Sequence, residues 1–181
     1  MSDEGTPPDL DEFVRRYGGV YENSPWVAEA CYPQGRDLDD PVRLADIFAR
    51  TVDDADEEAR LALVRAHPDL ADRAAIAGER GAASSTEQQS AGIDQCTPEE
   101  FARFRELNGR YKEKFGFPFV MAVRGSTRAQ ILAAFEARLE NTRATEFVNA
   151  MSEVHKIARL RLAAARAGGG SRSGEDAEAK R

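Results

Sequence analysis

Apolar residues recur at spacings of three and four along nearly the whole stretch from residue 9 to residue 167. This period places the apolar side chains on one face of a helix, whereas a half-buried strand alternates every second residue. No convincing alternation of that kind occurs, and no hairpin signal of the Asn-Gly or Asp-Gly type stands between two such runs. The pattern therefore predicts an all-α fold, a single-domain bundle of about seven to nine helices.

The clearest predicted helix lies in "TPEEFARFRELNGRYKEKFG", residues 97–116. Thr97 is a typical N-cap, Pro98 suits the first turn, and a glycine such as Gly116 is a common helix end. The two glutamates that follow the proline place negative charge at the N-terminal end of the helix, where the helix dipole stabilises it. The side chains expected on the buried face of this helix are Phe101, Phe104, Leu107, Tyr111 and Phe115.

The remaining helices are predicted from the same spacing and from capping residues. They are expected at residues 10–18, 24–32 and 40–52, from near Asp56 toward His67, from Ser126 or Thr127 onward, and from about Thr145 to Ala165.

One apolar run does not fit a helix. The run "FPFVMAVR" contains a proline and lies between Gly116 and Gly125, which leaves too few residues for a helix. It predicts one short extended segment over residues 117–124. Such a segment has backbone N–H and C=O groups without helical partners, and buried ones must be satisfied. Either a small amide-rich ligand or core packing with water would do so.

The two ends of the chain lack core-forming residues. The segment "GGGSRSGEDAEAKR" contains no apolar side chain larger than alanine, so its burial cannot offset its ordering entropy. We expect a flexible N-terminus at 1–8, an all-helical domain at 9–167 and a disordered tail at 168–181. No apolar run reaches the ~18 residues of a membrane span, and the start has no signal-peptide pattern. A cytoplasmic location is expected.

Charge and cysteine content exclude several classes of partner and site. The formal net charge of -7 argues against nucleic acid or an anionic membrane as the main partner. Cys31 and Cys96 are far apart and show no metal-ligand spacing. We therefore expect two reduced thiols with a structural role, with neither a disulfide framework nor a zinc site.

His67 stands where a helical pattern meets a proline, in "LVRAHPDL". Leu63 and Val64 lie four and three positions earlier, which places the imidazole on the apolar face of the helix end. Pro68 disfavours the helical conformation for the residue before it, so the side chain should project from the helix terminus. The histidine either interacts with the helix dipole or with the capping carbonyls of the helix end, or it acts as a general acid or base.

Two other places have both a structural and a functional interpretation. In "SSTEQQSAG", Ser84 with Glu87 or Ser85 with Gln88 forms a capping box, yet a carboxylate beside free N–H groups could also accept from a polar ligand. Arg161 continues the apolar stripe of the last helix, so its guanidinium either pairs with an anion or reaches back to solvent. His155, beside a lysine, is expected at the surface or its rim.

Six segments occur in an order that identifies a family. They are "SPWVAEACY", "HPDLA", "SSTEQQSAGID", "FARFRELNGRYKEKFGFPFV", "RGSTRAQILAAFEARLENT" and "IARLRL". Over about residues 13 to 165 the chain resembles the 2-oxo-4-hydroxy-4-carboxy-5-ureidoimidazoline (OHCU) decarboxylases of urate degradation. The resemblance implies decarboxylation of OHCU to (S)-allantoin without a cofactor, and a homodimer.

The resemblance also implies a role for each matching residue. His67 matches the catalytic histidine, the general acid, and Glu87 the key carboxylate. Arg161 matches an arginine that faces the substrate. The other substrate contacts fall on Pro68, Ser84, Ser85, Thr86, Gln88, Phe119, Val120, Met121, Ala122 and Val123.

Two other classes of function fit part of the pattern. A non-catalytic helical binding or interaction module would explain capped amphipathic helices without an enzyme. A metal-dependent hydrolase using His67, Asp69 and Glu87 is a weaker alternative, because the chain has no H-E-x-x-H motif and no second histidine at helical spacing.

Overall fold

The computed structural model describes residues 9–38, 40–70 and 96–169, with side chains up to residue 165. Within these ranges it contains α-helices and no β-strand, which confirms the predicted all-α fold. The predicted termini at 1–8 and from 170 onward lie outside the described residues, as does the segment 84–88. The helices are α1 (Leu10–Tyr17), α2 (Trp26–Gly35), α3 (Pro41–Asp53), α4 (Glu57–Arg65), α5 (Pro98–Phe115), α6 (Arg128–Leu139) and α7 (Arg143–Gly169).

The chain divides into two compact units. The first unit comprises Met1–Glu57 and His155–Arg181, and the second comprises Glu58–Val154. Helix α7 therefore begins in the second unit and ends in the first. Within the part of the chain that the structure describes, none of the helices has the length and apolarity that a bilayer crossing requires.

Aromatic rings form the core of the first unit. Phe13 packs edge-on against Tyr17 with ring centroids 4.8 Å apart, and Tyr21 stacks on Phe48 at 6.2 Å. All four side chains are buried. The Cys31 thiol donates to the Thr51 hydroxyl at 3.2 Å. Burial raises the pKa of this thiol to about 11, which keeps it protonated and agrees with the predicted structural role.

Capping residues determine where two helices of the second unit begin and where one of them ends. Helix α5 starts with a full capping box between Thr97 and Glu100, with Pro98 in the first turn. It ends at Gly116, whose φ of 79° lies in the left-handed region that favours glycine. Helix α6 starts with a second capping box between Thr127 and Gln130. Both starts were predicted from the sequence.

Helix α5 presents the predicted stripe to the core. Of its five members only Phe101 is half-buried; the other four are at most 1% exposed. Residues 117–127, between α5 and α6, are outside any helix. The aromatic rings hold this segment in place, because Phe119 stacks on Phe135 at 3.6 Å and lies edge-on to Tyr111 at 5.3 Å.

Candidate active site

His67 lies two residues beyond the end of α4 and is buried, at 9% exposure. Its backbone N–H donates to the Val64 carbonyl at 3.2 Å, which extends the helix by a turn. Its ring Nδ1 lies 3.1 Å from the Leu63 carbonyl oxygen. Because a carbonyl only accepts, Nδ1 carries the proton in this bond, and in the neutral ring Nε2 is then the acceptor nitrogen.

Side chains on both sides of His67 bond to the C-terminal end of α5. Before it, Arg65 Nε donates to the Gly116 carbonyl at 2.9 Å. After it, the Asp69 carboxylate lies 2.5 Å from the Lys112 ammonium. The two ties stand two residues from the histidine in either direction and fix the turn that contains it.

The same ion pair bears on the metal-site alternative. Asp69, one of the ligands considered for a metal-dependent hydrolase, forms an ion pair with Lys112. Within the described ranges no group of three or more histidine, cysteine or acidic side chains could hold a metal ion. The third candidate ligand, Glu87, lies outside these ranges.

We call residues 119–123, which the family resemblance matches to substrate contacts, the substrate strip. Phe119, Val120 and Val123 are at most 5% exposed, and the two residues between them are half-buried. Arg138 Nη1 donates to the Val120 carbonyl at 2.8 Å, and the Ala122 N–H donates to Glu153 Oε2 at 2.8 Å. Two of the strip's backbone groups are therefore held by side chains.

Other backbone groups of the substrate strip have no protein partner among the described residues. They include the N–H and C=O of Phe119, which is 1% exposed, and the N–H of Val120, which is 3% exposed. The described ranges likewise supply no partner for the Met121 N–H and C=O. Buried backbone groups are almost always paired, so these groups require partners beyond those that the described residues supply.

Arg161 pairs with an anion, which is one of the two interpretations of its position on the apolar stripe. Its Nη2 lies 2.7 Å from Glu22 Oε2, and its Nη1 donates to the Gly19 carbonyl at 3.3 Å. Both side chains of the ion pair are largely shielded from solvent, at 22% and 16% exposure. These residues belong to the first unit, whereas His67 and the substrate strip belong to the second.

His155 is less exposed than its sequence context indicated. Its side chain is 15% exposed. Nδ1 lies 2.7 Å from the Tyr21 hydroxyl, and Nε2 lies 3.1 Å from Asp53 Oδ1. The residue turns inward because it adjoins Val154 and Ala158 on the buried face of α7.

The sequence did not reveal a buried polar network in the second unit. Glu146 is fully buried and accepts from Arg138 Nε at 2.5 Å and from the Tyr111 hydroxyl. Asn141 and Asn149 donate to its other oxygen at 2.8 and 3.2 Å. Burial first, and then the Glu146 hydrogen bond, raise the pKa of Tyr111 far above its usual range, so the phenol stays a donor.

Asn108 is a second polar residue that the sequence did not single out. It is 3% exposed, and neither atom of its carboxamide has a hydrogen-bond partner within the described part of the chain. The sequence could have indicated this residue, because on α5 it lies three residues before Tyr111 and four after Phe104 and so shares their face. A polar side chain on that face is buried and requires a partner.

The sequence profile described as OHCU decarboxylase matches residues 8–163. The chain belongs to the OHCU decarboxylase family. A Haloferax volcanii protein named 2-oxo-4-hydroxy-4-carboxy-5-ureidoimidazoline decarboxylase is 44% identical over 155 residues, which cover 86% of this chain and 89% of that protein. The family predicted from the six ordered segments is confirmed.

Two solved structures of similar shape agree with membership of the OHCU decarboxylase family. A crystal structure of (S)-allantoin synthase has a TM-score of 0.70 and 32% identity, and covers 87% of this chain and 51% of that one. The chain thus spans about half the length of that synthase. A structure of OHCU decarboxylase in the presence of (S)-allantoin has a TM-score of 0.68, covers 84% of this chain and 98% of that one, and at 24% identity supports the fold.

Proposed function

We propose that this protein decarboxylates OHCU to (S)-allantoin in urate degradation. The observation that carries the proposal is the family match along residues 8–163, together with the 44% identity to a relative of that name. The second unit offers features that suit the reaction: a buried, oriented imidazole and a strip of backbone groups for which the described residues supply no partner.

The chemistry of OHCU supplies its own electron sink. The carboxylate stands on a carbon next to a ring C=N, so when the carbon–carbon bond breaks and CO2 leaves, the electron pair flows into that imine. The protein then has to orient the carboxylate, stabilise the developing charge and deliver one proton to one face of the former imine carbon, while the neighbouring hydroxyl loses its proton and becomes a carbonyl. Proton delivery to one face gives one enantiomer.

His67 suits the role of the general acid. Its Nδ1–H bond to the Leu63 carbonyl orients the ring, so the proton on Nε2 is held at a defined place. The ties from Arg65 to Gly116 and from Asp69 to Lys112 hold the backbone that carries it. An acid fixed in this way can protonate one face of a planar intermediate.

The substrate strip suits recognition of the ring and ureido amides. OHCU carries several N–H and C=O groups, and these can pair with the backbone groups of the strip that no described residue contacts through a hydrogen bond. The family resemblance alone supports our assignment of Pro68 to the substrate contacts and of Arg161, which pairs with Glu22 in this structure, to the substrate carboxylate. The segment Ser84–Gln88 completes the proposed contacts on the strength of the family resemblance.

The direct test is a coupled assay with a chiral readout. OHCU is generated from urate by the upstream enzymes, this protein is added, and the circular dichroism of the allantoin is followed. We expect a dichroic signal from (S)-allantoin that develops faster than spontaneous decay. Racemic product at the spontaneous rate would contradict the proposed function.

Replacing Glu87 with glutamine should separate a helix cap from a substrate contact. Glutamine can still bond back to the cap N–H, so the melting temperature should change little. Loss of a charge-assisted hydrogen bond worth about 1.5 to 3 kcal/mol should lower turnover roughly tenfold to hundredfold. Melting and initial rate are measured on one preparation. Unchanged values of both would return Glu87 to the role of a cap.

We also propose a cytoplasmic homodimer. The family resemblance supports the dimer, and the net charge of -7 agrees with a protein that stays away from anionic membranes and nucleic acid. Light scattering should give twice the 19.9 kDa mass of one chain. A mass of one chain across micromolar concentrations would count against the dimer.

A further inference from the structure

Arg138 contacts the substrate strip in two ways at once. Its Nη1 donates to the Val120 carbonyl at 2.8 Å, and the guanidinium carbon lies 4.4 Å from the centre of the Phe119 ring. The first contact fixes the direction of one peptide unit, and the second holds the ring that stacks on Phe135. Arg138 thus restrains the N-terminal half of the substrate strip.

The guanidinium of Arg138 is itself oriented by Glu146. Its Nε lies 2.5 Å from Glu146 Oε1, and its Nη2 lies 3.5 Å from the Tyr111 hydroxyl. Glu146 is fully buried and cannot turn toward water. A planar guanidinium can direct separate N–H groups at Glu146 and at Val120, whereas a lysine ammonium on a flexible stem cannot hold both with the same geometry.

Glu153 restrains the other half of the substrate strip. Its Oε2 accepts the Ala122 N–H at 2.8 Å. The Val120 carbonyl and the Ala122 N–H are therefore bonded to side chains, while the N–H and C=O of Met121 between them have no protein partner within the described residues. The restraints determine which backbone donors and acceptors remain for a ligand.

Stability alone is a weak reason for this arrangement. A buried ion pair loses much hydration, and well-packed apolar side chains of similar volume often stabilise a protein equally well. We propose that Arg138, held by Glu146, is a positioning residue that sets the register of the substrate strip for binding the amide groups of the substrate. This inference rests on the proposed function, because that function assigns the substrate strip to OHCU.

The substitution Arg138→Lys tests the role. Lysine keeps a positive charge beside Glu146 but loses the simultaneous bond to Val120 and the stacking on Phe119. We expect KM for OHCU to rise roughly tenfold to hundredfold while kcat stays within about twofold, because binding contacts are lost in the ground state and the transition state alike. A role in stability alone would lower the active fraction, and with it the apparent kcat, and leave KM unchanged.

Asn149→Ala is the matched control. It removes one donor to Glu146, at 3.2 Å, from a residue outside the substrate strip. It should lower the melting temperature and leave KM unchanged. The positioning role is overturned if Arg138→Lys leaves KM within about twofold of the original protein, or if Asn149→Ala raises it equally.

Hydrogen exchange tests the positioning role of Arg138 without relying on turnover of OHCU. If the original protein does not turn over OHCU, the proposed function fails, and exchange of a peptide covering residues 117–126 still tests the restraint. Faster exchange in Arg138→Lys than in Asn149→Ala would support it, and equal exchange would overturn it. Should the lysine variant not fold, Arg138→Met with Glu146→Gln leaves no unpaired buried charge and serves for the same measurements.

Discussion

Replacing His67 with asparagine should lower the turnover of OHCU by roughly 10² to 10⁴ while the protein stays folded. The asparagine amide can still donate to the Leu63 carbonyl, 3.1 Å from Nδ1 in this structure, so the local turn should persist. It cannot deliver a proton as an imidazolium does, so the loss should appear mainly in kcat. The measurement is the initial rate of (S)-allantoin formation, with a melting curve on the same preparation.

His155 is the matched control, since it is the other histidine of the chain. It bridges Tyr21 and Asp53 in the first unit. His155→Asn should lower the melting temperature through weakened hydrogen bonds and leave the rate per folded molecule unchanged. A fully active variant at position 67 would refute the assignment of the general acid. A rate loss that tracks unfolding in both variants would also refute it.

The helices were predictable because their signals are local. Thr97 and Thr127 cap α5 and α6, and each bonds to a residue three positions later, so the whole motif is visible in a four-residue window. Gly116 and Gly125 both have φ near 80°, which explains why they bound the non-helical segment. The extent of α7 was less predictable, since it runs from Arg143 to Gly169 with no sharp signal at either end.

The candidate site was only partly predictable because its contacts join distant residues. Tyr111 was read as a member of an apolar stripe, and its hydroxyl implied a buried partner. That the partner is Glu146, 35 positions away, follows from tertiary packing and from no periodic pattern. The same holds for Arg138, whose bond to Val120 spans 18 positions.

The residue patterns left the chemical roles open, and the family resemblance assigned them. His67 also fitted a helix-end histidine that contacts the last carbonyls of its helix, and the structure shows that contact, from Nδ1 to the Leu63 carbonyl, on a buried ring. Arg161 was open to two interpretations, pairing with an anion or reaching back to solvent, and the structure pairs it with Glu22. The roles of Ser84 to Gln88 stay predictions, because these residues lie outside the described ranges.

Replacing Glu146 with alanine should cause a large loss of stability in the second unit. Four donors converge on its carboxylate, and Arg138, which is 15% exposed, would keep its charge without its buried partner. Removing one member of a buried pair costs about 3–5 kcal/mol of unfolding free energy. For a chain of this size that corresponds to a fall of roughly 6–20 °C in melting temperature.

Burial, and not the mere presence of an arginine partner, should determine the size of that effect. Glu106 also pairs with an arginine, Arg103, at 2.7 Å, but both side chains are exposed. Glu106→Ala should therefore leave the melting temperature almost unchanged, because water solvates the freed guanidinium. Glu146→Gln should fall between the two alanine variants, since its amide oxygen still accepts from Tyr111 or Asn141 while the charge is lost. Equal melting temperatures for Glu146→Ala and Glu106→Ala would show that the Glu146 network does not hold the second unit together, and would remove the support that the positioning role of Arg138 requires.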